Sequence, residues 1–152
     1  MKHFIDINNL KKKEIDEIIS LAKKIKKNPK KYSSFCKNKT LGLIFEKQSL
    51  RTRLSFNVGM QKLGGSVLEL QSKDIGFDNK REKAEDVLNV LSQYIDCLMI
   101  RNDNHKQIVN LSKENILPII NGLTEYSHPC QILGDFLTCL LYTSPSPRDV
   151  EE

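Results

Sequence analysis

Three short segments carry side chains suited to holding an anion. The first is Ser49-Leu50-Arg51-Thr52-Arg53, which joins an apolar run to an amphipathic one. A strand-to-helix turn there leaves backbone N–H groups unpaired at the positive end of the helix dipole. Ser49 and Thr52 add hydroxyl donors, and Arg51 adds a planar fork suited to phosphate. The segment therefore points to phosphate or carboxylate binding; the competing reading is a capped helix with surface arginines. The second is Arg101, directly after the apolar Cys97–Ile100. It would point into a crevice, or else pair with nearby Asp103 on the surface. The third is His128-Pro129-Cys130-Gln131, preceded by Asn121-Gly122-Leu123-Thr124. His128 and Gln131 are three residues apart and share one helix face. A lone histidine is more often a structural hydrogen-bonder, and only its company near the two arginine sites favours a functional reading. His105 has no such company and reads as a surface residue. No His, Cys, Asp and Glu set has metal-ligand spacing, so neither metal nor cofactor is expected. Cys130 with His128 is not read as a nucleophile–base pair.

The elements that must position these groups follow from periodicity. Leu10–Ile25 places Ile15, Ile18, Ile19, Ala22 and Ile25 at helical spacing, with Asn9 as a cap and Asn28-Pro29 as a stop. Thr40–Glu46 and Ser66–Leu70 read as strands flanking a helix over Arg51–Leu63 that ends at Gly64-Gly65. Asp74–Arg81 is polar and turn-like. Glu82–Tyr94 reads as a helix, Cys97–Ile100 as a strand and His105–Leu111 as a short helix. Ile116–Ile120 reads as a strand containing Pro118, and His128–Leu141 as a last helix opened by Pro129. This alternation predicts an α/β fold, a four-stranded parallel sheet flanked by helices with right-handed crossovers. In such sheets ligands bind beyond the carboxyl ends of the strands. Gln48–Arg53, Arg101 and Asn121–Gln131 all fall there.

Composition narrows the class. The 152 residues suffice for one α/β domain. The longest apolar runs are far below the ~20 residues of a membrane helix, and Met1–Asn9 has no signal-peptide pattern. A cytoplasmic protein with no membrane partner is expected. Cys36, Cys97, Cys130 and Cys139 show no disulfide spacing, and Cys97 and Cys139 read as buried thiols. The net charge of +5 comes with lysine-rich stretches near the start and reads as a solvated face. No nucleic-acid signature accompanies it, although it can steer a small anion toward the protein.

Phe45-Glu46-Lys47-Gln48-Ser49-Leu50-Arg51-Thr52-Arg53-Leu54-Ser55-Phe56 resembles the carbamoyl-phosphate loop of the aspartate and ornithine carbamoyltransferases. Asn121-Gly122-Leu123-Thr124 with His128-Pro129-Cys130-Gln131, and Met99-Ile100-Arg101 with His105, resemble the ornithine branch in particular. The resemblance runs from about Phe4 to Cys139. It implies the carbamoyl-phosphate-binding domain of that fold. Ser49, Leu50 through its backbone, Arg51 and Thr52 would cradle the phosphate. Arg101 would bridge phosphate and carbonyl oxygen, His128 would bond the carbonyl oxygen, and Gln131 would hold the carbamoyl amide. Catalysis would rest on Arg51, Arg101 and His128, transferring the carbamoyl group to the δ-amine of L-ornithine to give citrulline and phosphate. The resemblance also implies a homotrimer.

The sequence departs from the family in three places. Leu50 stands where the family often has threonine. Asp74–Arg81 matches poorly the loop that reaches a neighbouring subunit's site, where Lys80 or Arg81 would serve. The family's second domain, which binds ornithine, has no counterpart here. Residues 1–140 are therefore expected to be the carbamoyl-phosphate domain of a truncated chain that is inactive alone. Residues 141–152 are expected to be a non-native or disordered tail, because Leu141-Tyr-Thr-Ser-Pro-Ser-Pro-Arg-Asp149 resembles translated sequencing-adapter sequence. Two other readings stay open: a non-catalytic anion-binding or assembly fragment, and a carbamoyltransferase for another amine such as aspartate.

Overall fold

The computed structural model describes residues 1–75 and 83–142. In chain order the elements are α1 (Lys12–Lys27), β1 (Thr40–Phe45), α2 (Leu50–Lys62), β2 (Ser66–Leu70), the one-turn α3 (Ser72–Ile75), α4 (Ala84–Ser92), β3 (Cys97–Arg101), α5 (His105–Lys113), β4 (Ile119–Leu123) and α6 (Pro129–Tyr142). The four strands form one sheet in the order β2-β1-β3-β4, and every pair is parallel. The expected α/β architecture is thus present. The chain reverses direction across β1, so the carboxyl ends of β1 and β3 lie side by side with Phe45 opposite Arg101. Ligand crevices form at such reversals.

Strand side chains alternate between two apolar layers. Ile44, Leu98, Ile100 and Ile119 face α4 and α5, meeting Val87, Leu88, Ile108 and Leu111. Leu41, Leu43 and Met99 face the other way, toward Phe56 and Met60 of α2. Leu43, Ile44, Leu98, Met99, Ile100 and Ile119 have no exposed surface. β1 and β3, buried on both faces, read as continuous apolar runs, which explains why they were legible.

Several boundaries differ from expectation. Asn9 does not cap α1. Asp6 instead accepts from the Asn8 N–H and winds Ile7–Asn9 into a 3-10 turn. The α1 start falls at Lys11, whose N–H is taken by Glu14 at 2.9 Å. The fourth strand is Ile119–Leu123 rather than Ile116–Ile120. Proline lacks the N–H that a central ladder needs, so Pro118 precedes the strand and only its carbonyl is used, accepting from Leu98. β4 gains a neighbour from the N-terminal arm, where Phe4 bridges to Ile120 in parallel. Asn121-Gly122-Leu123 is consequently the end of the strand rather than a segment beyond it.

The Gly64-Gly65 stop is present. Gly64 has φ +82°, and the N–H groups of Gly64 and Gly65 return to the carbonyls of Gln61 and Met60. A Cβ at Gly64 would collide with the Ser33 carbonyl. No disulfide links the four cysteines, and Cys139 is exposed rather than buried. Its helix α6 also exposes Ile132, Phe136 and Leu141, so an apolar run did not mean a buried one here. α6 continues through Tyr142. Most of the expected tail, along with Lys80 and Arg81, lies outside the described residues.

Candidate anion and carbonyl site

Ser49 ends the turn after β1 and caps α2. Its backbone is extended, and its Oγ accepts from the Thr52 N–H at 3.4 Å. Its hydroxyl donates to Thr52 Oγ1 at 3.0 Å. Thr52 is the one buried residue of α2. It receives a second bond on Oγ1, from Arg101 Nη1 at 2.9 Å. Arg101 is therefore not an exposed partner of Asp103. It crosses from the end of β3 to the first turn of α2, while Asp103 pairs with Lys47 on the surface at 3.3 Å. The Nε of Arg101 is buried without a hydrogen-bond partner among the described residues.

Arg51 and Thr52 open onto a cleft of about 250 Å³ whose opposite wall is the start of α6. His128, Cys130, Gln131 and Gly134 form that wall, and Ser55 and Phe56 extend the α2 side. The geometry brings Arg51, Thr52, His128 and Gln131 into one space, with Arg101 tied in through Thr52. The Leu50 side chain is 70% exposed, which leaves its backbone as the group able to serve the helix start. Gln131 is exposed and donates to Asp135 at 2.8 Å. Arg53 turns aside, with its guanidinium 4.9 Å from the Phe45 ring centre and 3.4 Å from Glu69.

His128 stands just before α6, and its carbonyl accepts from Gln131 and Ile132. Its Nδ1 is buried without a hydrogen-bond partner among the described residues. Burial, and then the Arg101 cation, hold its pKa below the ordinary histidine value, with Asp135 opposing. The ring is therefore a neutral imidazole near pH 7, able to donate one proton without carrying charge. Burial pushes the Cys130 thiol up to about 11, and its Sγ lies 3.7 Å from the Asn121 carbonyl. That thiol is protonated and poorly nucleophilic.

Sequence reasoning missed some of the groups around the cleft. Ser55 and Gly134 line it, and their spacing gave the available signal, since Ser55 lies one turn beyond Arg51 on α2. His105 is not simply a surface residue. Its Nδ1 is 2.9 Å from Thr124 Oγ1, and its ring packs 4.8 Å from that of Tyr126. Among the described residues there is no group of three or more His, Cys, Asp or Glu able to hold a metal ion, and no helix is long and apolar enough to cross a membrane.

A cleft with arginines, hydroxyls and a helix start on one wall and a neutral histidine on the other can hold a dianion beside a carbonyl group. The chain is 44% identical over 140 residues to an ornithine carbamoyltransferase of Campylobacter hominis, covering 91% of this chain and 45% of the relative. The solved structure of ornithine carbamoyltransferase from Pyrococcus furiosus superposes with a TM-score of 0.86 at 37% identity, over 93% of this chain and 45% of that one. A variant of N-acetyl-L-ornithine transcarbamylase, solved with carbamyl phosphate and N-succinyl-L-norvaline, matches with a TM-score of 0.80 at 28% identity, over 97% of this chain and half of that one. The chain thus spans under half the length of the curated relatives it matches. Residues 2–140 match the carbamoyl-P binding domain of the aspartate/ornithine carbamoyltransferases, and the chain belongs to that family.

Proposed function

We propose that the cleft binds carbamoyl phosphate, and that the whole protein transfers its carbamoyl group to the δ-amine of L-ornithine. The observation that carries this reading is the pairing across one cleft of the Arg51–Thr52 helix start with His128 and Gln131. Residues 1–140 are the carbamoyl-phosphate domain in this reading, and residues 141–152 are not part of it. The phosphate rests on the start of α2 with Ser49, the Leu50 backbone, Arg51 and Thr52. Arg101 bridges phosphate and carbonyl oxygen, His128 donates to the carbonyl oxygen, and the Gln131 amide turns from Asp135 to the carbamoyl nitrogen.

The amine nitrogen attacks the carbonyl carbon, and charge builds on the carbonyl oxygen. Donors fixed at that oxygen stabilise the transition state. The C–O bond to phosphate then breaks, phosphate leaves with the electron pair, and the amine nitrogen passes its proton to the departing phosphate. His128 suits this role because a neutral imidazole can donate one N–H to the carbonyl oxygen without itself carrying a charge. No covalent enzyme intermediate is needed, and catalysis is positioning plus electrostatics. Family membership supports a homotrimer and a cytoplasmic location as parts of the same proposal.

Calorimetric titration of the 152-residue chain with carbamoyl phosphate tests the reading. Arg51→Ala should weaken binding by ~2–5 kcal/mol. An unchanged dissociation constant would place the phosphate elsewhere. The N-acetylornithine relative supports a second reading in which the acceptor is another amine. Assay of the completed protein with ornithine, N-acetylornithine and aspartate distinguishes the two.

A further inference from the structure

Asn121 and Thr124 do not line the cleft, yet both are buried, at 0% and 4% exposure. Their polar atoms converge on the peptide that precedes His128. The Ser127 carbonyl receives the Thr124 N–H at 3.0 Å, Asn121 Nδ2 at 3.2 Å and the Thr124 hydroxyl at 3.3 Å. The Ser127 N–H returns to Thr124 Oγ1 at 3.1 Å. We propose that Asn121 and Thr124 are positioning residues that aim His128 into the cleft by clamping the Ser127 carbonyl. Its bearing on carbamoyl phosphate rests on the reading above, but the clamp itself does not.

Three donors on one carbonyl fix the plane of the Ser127–His128 peptide. On the other side His128 is held by Pro129, because a residue before proline has little backbone freedom, and by the first bonds of α6. The imidazole therefore leaves a backbone with little slack on either side. Asn121 ties this clamp to the rest of the sheet. Between Ile100 and Arg101 the β3–β4 register slips by one residue, and Asn121 Oδ1 takes the Leu123 N–H at 2.9 Å. Its Nδ2 also reaches the Ile5 carbonyl of the N-terminal arm at 2.9 Å. A buried amide is costly unless satisfied, and both ends of this one are used. His105 Nδ1, 2.9 Å from Thr124 Oγ1, holds the Thr124 side chain in place.

The test compares Thr124→Val, which keeps the shape and loses the hydroxyl, with Thr124→Ser, which keeps the hydroxyl. Nitrogen-15 NMR of the 152-residue chain reads the His128 titration midpoint, and calorimetry reads the affinities for carbamoyl phosphate and inorganic phosphate. Thr124→Val should move the midpoint toward the ordinary histidine value and weaken carbamoyl phosphate about tenfold. Inorganic phosphate, held on the α2 side, should bind as before, and Thr124→Ser should behave like the parent. Thr124→Ala serves in the same way should the valine variant not fold. An unmoved His128 midpoint overturns the proposal, and so does equal weakening of both ligands, which would signal a general structural effect. If the parent binds neither ligand while the midpoint still shifts in Thr124→Val, the clamp stands and the carbamoyl-phosphate reading falls.

Discussion

Arg101→Met should separate binding from stability. Arg101 is half-buried at the end of β3, donates to Thr52 Oγ1 at 2.9 Å, and carries a buried Nε without a hydrogen-bond partner among the described residues. Methionine fills a similar volume without the charge. The lost charged hydrogen bond costs ~1.5–3 kcal/mol, and removing a poorly satisfied buried cation returns ~1–3 kcal/mol. Thr52 Oγ1 keeps the Ser49 hydroxyl at 3.0 Å. The net change in folding stability should therefore lie within ~1 kcal/mol of zero. Binding has no such compensation. Removing a cation that serves both phosphate and carbonyl oxygen in a sheltered cleft costs ~2–5 kcal/mol, roughly a 30- to 5,000-fold rise in Kd. Urea unfolding and calorimetry with carbamoyl phosphate measure the two quantities on the same sample. A stability loss above ~2 kcal/mol together with nearly unchanged affinity would refute the reasoning, because Arg101 would then be a structural cation.

Two further outcomes concern protons. Since burial and Arg101 hold the folded-state pKa of His128 down, the unfolded chain binds this proton more readily. The contribution to stability is complete above the ordinary value of 6.5 and is lost as pH falls below it. Unfolding curves from about pH 5 to pH 8 should show that acid-side loss, and His128→Gln should reduce it; identical slopes would contradict the assignment. A thiol reagent at about pH 8 should modify exposed Cys139 well before Cys97 and Cys130, whose thiols burial pushes up to about 11. Rapid loss of the Cys130 thiol, followed by peptide mass mapping, would show the cleft wall to be looser than described.

Most of the fold was legible because β1 and β3 are apolar on both faces and the helices carry strong breakers. Ser66–Leu70 was read with its observed limits, and Gly64-Gly65 and Asn28-Pro29 stop helices through backbone geometry that few other residues allow. The misreadings share one cause, which is that a local pattern cannot report what lies against it. Ile116–Ile120 looked like a strand by composition, but Pro118 and the pairing of Phe4 with β4 moved the strand three residues on. Cys139 looked buried because α6 is apolar, yet that helix turns Ile132, Phe136 and Leu141 outward. An apolar run predicts burial only when the covering surface belongs to the same chain, and this chain spans under half the length of its relatives.

The site shows the same division between chemistry and support. Ser49, Arg51, Thr52, Arg101, His128 and Gln131 could be proposed from the sequence because cationic forks, hydroxyls and a helix start have few other uses together, and the structure brings Arg51, Thr52, His128 and Gln131 to one cleft. Asn121 and Thr124 were visible only as neighbours of His128 and as part of a resemblance, because nothing in their types announces a clamp on a neighbouring carbonyl. That role arises from the register slip beside Arg101, where Leu123 reaches φ +155° and Gly122 leaves no room for a Cβ against Met99 Sδ. The slip displaces the chain after β4, and Asn121 takes up both the Leu123 N–H and the Ser127 carbonyl within that displacement. The direction of His128 is thus set by strand register as well as by its own helix. Changes on β4 beyond Asn121 should accordingly alter the carbonyl side of the cleft before they alter the phosphate side, where Ser49 and Thr52 are held by bonds to each other at the start of α2.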